Sequence, residues 1–288
     1  MRRLLIVALI AVLSLATACS RSKHDEAPLA AENQDSAEMN QMNHDGHDAS
    51  GHAASGTSHI QTEAVWKLSD EKPQAGKTTA ITVQINDGKG KPVAEFDFNH
   101  EKQMHLIIVS RDLAYFDHIH PIYNGNGQFQ VETDFPAGGD YKLIADYVPT
   151  GGSAVNNSTW ISVLGSAGEA KPIEPDKSLV KTFNGVEVTL SYGHLMAGMD
   201  LELNFHMTDA NTHEPVTDLE PYLGAVGHVV ILSADAEQYL HVHPTEEKAK
   251  GPDAAFMTRF PESGIYKVWG QFQREGKTFV VPFVIDVP

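Results

Sequence analysis

A histidine opening a short apolar run, with His-x-His-Pro arriving thirteen residues later, occurs twice in this chain, and that duplication limits what it can fold into more than any other feature. The first copy runs from His105 through Leu106-Ile107-Ile108-Val109 to His118-Ile119-His120-Pro121. The second runs from His228 through Val229-Val230-Ile231-Leu232 to His241-Val242-His243-Pro244. Ser110 and Asp112 of the first copy stand in register with Ser233 and Asp235 of the second. Each unit reads as a β-hairpin: a β-branched apolar run, a polar turn, and a second short strand carrying the paired histidines.

Successive side chains of a strand point to opposite faces, so His118 and His120 share one face. A turn at Asp112-Leu113 sets His105 opposite His120, and a turn at Arg111-Asp112 sets it opposite His118. Either register gathers three rings on one side, because directly opposed residues of an antiparallel pair lie on the same face. The same arithmetic holds for His228, His241 and His243. Imidazole suits copper, zinc and nickel, so each trio is a candidate metal site, with Met104 beside the first as an auxiliary thioether. The competing reading is a structural polar cluster carried along by duplication.

The chain opens with Arg2-Arg3, the apolar run Leu4 to Leu15, and Ala16-Thr17-Ala18-Cys19. A basic start, a short apolar stretch and small residues before a cleavage point describe a secretory signal over residues 1–18, too short for a spanning helix. The ending resembles a bacterial lipobox, with Cys19 as the lipidated residue and the extracytoplasmic face of the membrane as the expected location; the alternative is an ordinary signal cut nearby that leaves a secreted protein. Cys19 is the only cysteine among 288 residues. The folded part therefore has neither a disulfide nor a thiolate, which excludes a blue-copper centre and cysteine-based redox exchange. A net charge of −17 repels nucleic acid and attracts cations.

Residues 19–61 are polar and small with no hydrophobic period, the composition of a disordered tether. Within it lie Met39, Met42, His44, His47 and His52. Thioether sulfur suits Cu(I), and a flexible segment can wrap an ion without a preformed cage. This tract points to copper, with zinc as the second candidate.

Beyond the tether the chain reads as repeat 1 over residues 62–165, a linker over 166–176, and repeat 2 over 177–288. Strands are expected at 79–85, 105–109, 116–120, 128–135, 141–147 and 159–164 of repeat 1, with glycine- and proline-marked turns between them and no helix of useful length. Phe135-Pro136-Ala137-Gly138-Gly139-Asp140-Tyr141 matches Phe260-Pro261-Glu262-Ser263-Gly264-Ile265-Tyr266. A proline-glycine corner entering a strand at a tyrosine is the tyrosine corner of immunoglobulin-like sandwiches. The fold expected is all-β: two tandem immunoglobulin-like or cupredoxin-like β-sandwiches, with Trp66, Phe129, Phe135, Tyr141, Trp160, Phe260, Tyr266, Trp269 and Phe283 in their cores.

The paired histidine hairpins, the Phe-Pro-x-x-Gly-x-Tyr corners and the leader together resemble bacterial secreted or lipoprotein YtkA-like β-sandwich proteins in tandem form. That resemblance implies a sandwich, export, and an association with copper handling. The expected function is an extracytoplasmic copper-binding lipoprotein for buffering, delivery or resistance, with the metal ion, the membrane and an envelope metal-transfer protein as partners. The alternative is a cell-surface adhesion or interaction protein of tandem immunoglobulin-like domains with no metal role. An enzyme is not expected, since His-Glu-x-x-His, a nucleophile elbow and paired carboxylates are all missing from the sequence.

Overall fold

The computed structural model describes residues 60–288. The leader, Cys19, and Met39, Met42, His44, His47 and His52 lie outside the described residues. Repeat 1 contributes β1 (Thr62–Leu68), β2 (Thr78–Asp87), β3 (Phe96–Asp97), β4 (Met104–Ser110), β5 (Phe116–Ile119), β6 (Ile122–Tyr123), β7 (Gln128–Asp134), β8 (Gly139–Pro149) and β9 (Val155–Val163). Repeat 2 contributes β10 (Val180–Phe183), β11 (Val186–Tyr192), β12 (Asp200–Asp209), β13 (His228–Ser233), β14 (Tyr239–Val242), β15 (Asp253–Arg259), β16 (Gly264–Arg274) and β17 (Lys277–Val287). The described residues contain no helix.

Each repeat is a two-sheet sandwich. The outer sheets run β1-β2-β7-β6 and β10-β11-β12-β15. The inner sheets run β3-β8-β4-β5, with β9 also paired to β8, and β14-β13-β16-β17. Alternation drives the outer sheets: Ile81, Val83 and Ile85 of β2 are fully buried while the residues between them face outward. The core of repeat 1 gathers those side chains with Leu106, Ile108, Phe129, Phe135 and Tyr141. That of repeat 2 gathers Leu203, Phe205, Val229, Ile231, Phe256, Phe260, Tyr266 and Phe283. Both tyrosine corners are formed, the Tyr141 hydroxyl donating to the Ala137 carbonyl and that of Tyr266 to the Glu262 carbonyl, each at 2.9 Å. The glycine of the corner motif is explained by its backbone: Gly139 and Gly264 have φ of 138° and 141°, a region closed to residues with a Cβ.

The inner sheets bury both faces. In β4, Leu106 and Ile108 enter the sandwich core while Ile107 and Val109 enter a third apolar cluster. In β13, Val229 and Ile231 enter the core of repeat 2 while Val230 and Leu232 join that same third cluster, with Leu113, Ile144, Ala236 and Trp269. The two repeats, which fall in one compact unit, therefore pack inner sheet against inner sheet. Phe116 stacks on Trp269 across the junction, ring centroids 4.7 Å apart at 17°. Two expectations are corrected here. Trp160 and Trp269 belong to the interface between repeats, not to the sandwich cores, and the two histidine hairpins face each other across that interface instead of each serving its own domain.

Matched residues brace the interface from both sides. Lys142 is the fourth residue of β8 and Lys267 the fourth of β16. The Lys142 ammonium donates to the Ala236 carbonyl at 2.6 Å, and that of Lys267 donates to the Leu113 carbonyl at 2.7 Å. Each lysine thus holds the hairpin turn of the opposite repeat. The turns are locked internally as well. The Asp112 carboxylate accepts from the Ser110 hydroxyl and the Ala114 amide, and Ser110 Oγ accepts from the Tyr115 amide; Asp235, Ser233, Glu237 and Gln238 repeat the arrangement. That lock is why serine and aspartate recur in register in the duplicated unit.

Candidate metal centre

In the first hairpin Leu106 pairs with Ile119 and Ile107 with His118, the register of a turn at Asp112-Leu113. In the second, Val229 pairs with Val242 and Val230 with His241. Both registers place the opening histidine against the second member of His-x-His, and both trios face the interface between repeats.

The trios are built alike. His105 Nε2 meets the Asn99 carbonyl at 2.9 Å and His228 Nε2 meets the Tyr222 carbonyl at 3.1 Å. A carbonyl can only accept, so both Nε2 atoms carry the proton and both Nδ1 atoms hold lone pairs. His118 Nδ1 lies 2.6 Å from Gln271 Oε1, and His241 Nδ1 lies 2.8 Å from Asp146 Oδ2. Beside that carboxylate the protonated nitrogen of His241 is Nδ1 and the free one Nε2, and His118 matches it with the Gln271 amide oxygen facing its ring. Gln271 and Asp146 are the eighth residues of β16 and β8, so each trio takes its polar support from the other repeat. The outer nitrogens of these four rings thereby have partners, and the inner nitrogens converge: His105 Nδ1 and His118 Nε2 at 2.9 Å, His228 Nδ1 and His241 Nε2 at 3.4 Å.

His120 closes the first trio. One donor atom from each of His105, His118 and His120 falls within 4.8 Å of the others, and the buried His120 Nε2 has no protein partner. His243 lies 5.1 Å from His241 by ring centroids, and His100, from the loop ahead of β4, reaches across to stand 4.2 Å from His243 and 4.7 Å from His228. The trios touch each other through His105 and His241, 5.0 Å apart by centroids, so seven imidazoles form one continuous cluster.

Burial sets the charge of this cluster. Desolvation, then the neighbouring His105, His241 and His120, holds His118 well below the usual imidazole value, and His241 is held down in the same way. Burial and then His241 push His228 down to about 2; burial and then His105 push His120 down to about 3. Burial lowers His105 and His100 too, and it raises Asp146, whose Oδ2 accepts from both the Tyr239 hydroxyl at 3.0 Å and His241. The rings are therefore neutral at ordinary pH, the form that ligates metal. Two nitrogens held at 2.0–2.1 Å from one tetrahedral ion stand about 3.4 Å apart. The inner pairs are already near that spacing, and their outer nitrogens carry the carboxylate and carbonyl partners usual for ligating histidines.

The structure thus gathers His105, His118, His120, His228, His241 and His243 at one place. Met104 it does not: that side chain is fully buried on the opposite face of β4, in the core of repeat 1, because strand alternation turns it away from His105. His100, Asp146 and Gln271 were not singled out from sequence. Asp146 and Gln271 left a usable trace, each a polar residue at the same place in its strand, between apolar or aromatic neighbours. His100 left none, since its role depends on the packing of repeat on repeat.

A family model described as Domain of unknown function (DUF8832) matches residues 59–163 and again residues 181–288. None of the curated proteins matches the sequence. Among solved structures, 80% of this chain aligns with 65% of FdeC, a broadly conserved Escherichia coli adhesin, at 16% identity and TM-score 0.28. A two-domain fibronectin type-III segment of chicken tenascin aligns over its full length with 80% of this chain at 12% identity and TM-score 0.22. Adhesin InvE of Yersinia pseudotuberculosis aligns over 62% of its length with 81% of this chain at 10% identity and TM-score 0.26. The chain thus spans under two thirds of both adhesin chains.

Proposed function

The chain belongs, as a tandem member, to the family described as Domain of unknown function (DUF8832), which brings no activity with it, and from the site alone we propose that it binds metal at the histidine cluster between its repeats, copper first and zinc second. One observation carries the reading. One ring nitrogen from each of His105, His118 and His120 falls within 4.8 Å of the others, and the buried His120 Nε2 has no protein partner, while acceptors hold the outer nitrogens of His105, His228 and His241. A cation at that point of convergence is held by the lone pairs that neutral imidazoles offer. A polar cluster retained only for structure would instead give the buried His120 Nε2 a partner.

Copper is favoured over zinc by the thioethers and imidazoles of Met39, Met42, His44, His47 and His52, which suit an ion that must be captured and passed on. On this reading the protein buffers, delivers or sequesters copper outside the cytoplasm, held to the membrane through Cys19 and exchanging the ion with an envelope partner. It is a binding protein and not a catalyst. The test is the metal content of the full chain after purification and copper loading, beside a variant with His105, His118, His120, His228, His241 and His243 all changed to Ala. Loss of tightly held copper in the variant, beyond what the tether retains, supports the reading. Equal metal in both chains overturns it and leaves the tandem interaction module in its place.

A further inference from the structure

The pseudo-symmetry of the two trios is broken in four ways, and all four point in one direction. His118 leans on the neutral amide of Gln271, whereas His241 leans on the carboxylate of Asp146. Asp146 also pairs with His105 across β4 and β8, but its accepting oxygen is taken by His241 and Tyr239. The first trio has three imidazoles and lies in the field of Asp146, at His105, and of Lys102, while the second is joined by His100, which lies in the field of Glu247 and Glu101. Finally, a cleft of about 150 Å³ lined by Asn99, Asp146, Asn156, Tyr239, His241 and His243 opens beside the second trio, where His243 is exposed and its counterpart His120 in the first is half-buried; His105, His118 and His228 are buried.

Resting on the metal reading above, we propose that the cluster is two unlike sites: a closed one at His105, His118 and His120 for monovalent Cu(I), and an open one at His100, His228, His241 and His243 for a divalent ion. The desolvation cost of an ion rises with the square of its charge, so a pocket of neutral ligands, whose nearest carboxylate oxygen is already taken by His241 and Tyr239, favours the monovalent species. Imidazole serves copper in either state, and three neutral nitrogens satisfy Cu(I) without further ligands. At the second trio the Asp146 carboxylate raises the basicity of His241 and offsets one unit of the ion's charge, and the cleft gives a divalent ion a way in and room for water. The closed site retains its ion and the open one exchanges.

The experiment uses the full chain with Met39, Met42, His24, His44, His47, His52 and His59 changed to Ala, so that the tether does not contribute. Cu(I) under reducing conditions and Zn(II), a divalent probe without redox chemistry, are titrated separately and together against chelators of known affinity. The proposal expects one equivalent of each to bind at once without competition. Asp146→Asn, which keeps an acceptor for Tyr239 and His241, should weaken Zn(II) by about 10–100-fold and leave Cu(I) within about threefold. Gln271→Glu should add a second Zn(II). Competition of the two ions for a single site, or equal weakening of both by Asp146→Asn, overturns the two-site assignment while leaving metal binding intact. Binding of neither ion overturns the metal reading itself.

Discussion

Trp269→Ala tests whether the repeats are one packed body or two sandwiches on a string. Trp269 is 2% exposed, yet it lies outside both sandwich cores, against Phe116, Ile107, Val109, Val230 and Leu232 of the shared cluster. Deleting a buried tryptophan costs about 3–5 kcal/mol through lost transfer energy and the cavity left behind. The offset stack on Phe116 accounts for about 0.5–1.5 kcal/mol of that. Against a typical total of about 5–15 kcal/mol, the substitution should be severe. Urea unfolding of the metal-free protein, followed by circular dichroism, reads the loss as a fall in midpoint. Metal affinity should fall with it, since the His118–Gln271 and His241–Asp146 contacts span the same junction. A change under about 0.5 kcal/mol, the size expected at an exposed surface position, would refute face-to-face packing.

The pH dependence of the metal-free protein follows from the depressed histidines. Below pH 6.5 the unfolded chain takes up protons that buried His118, His228 and His241 refuse, so stability is full above pH 6.5. It falls as pH drops, by about 1.4 kcal/mol per pH unit for each such ring. Denaturation midpoints that stay level from pH 7.5 to pH 5 would contradict neutral burial. Asp235→Ala removes the exposed carboxylate that accepts from Ser233 and the Glu237 amide, and should lower stability by about 0.5–1.5 kcal/mol and weaken binding at the second trio more than at the first; equal loss at both would argue against turn-controlled placement. A peptide covering residues 36–60 should bind Cu(I) better than a scrambled control without Met and His, and parity would remove the tether from the mechanism.

Much of the fold could be read from the chain because it rests on local rules. Alternation marked Gln128–Asp134, and the left-handed glycines with their tyrosines marked the corners. Counting residues across the turn left two hairpin registers with the three rings on one face in either, and the structure has the one turning at Asp112-Leu113. Lost to the reading was the meaning of unbroken apolar runs. Ile107 and Val109 are apolar where a sheet with one wet face would be polar, which signals a strand buried on both sides. A strand prediction uses that signal up without asking what covers the second face. Once the inner sheets are seen to pack on each other, the clustering of both trios, the service of Asp146 and Gln271 across the junction, and the reach of His100 all follow. Met104 shows the converse, because strand alternation alone turns it away from His105.

The central claim is that the inner ring nitrogens of the cluster bind metal while the outer ones keep their protons. Two-dimensional NMR of the imidazole nitrogens, in the full chain labelled with ¹⁵N-histidine and titrated with Zn(II) at pH 7.5, observes both sets separately. The account predicts that Nδ1 of His228 and Nε2 of His241 shift to metal-bound values as the ion is added, while the N–H signals of His228 Nε2 and His241 Nδ1 persist, held by Tyr222 and Asp146. Shifts confined to histidines of the tether, with the cluster signals unmoved at saturating Zn(II), would contradict it.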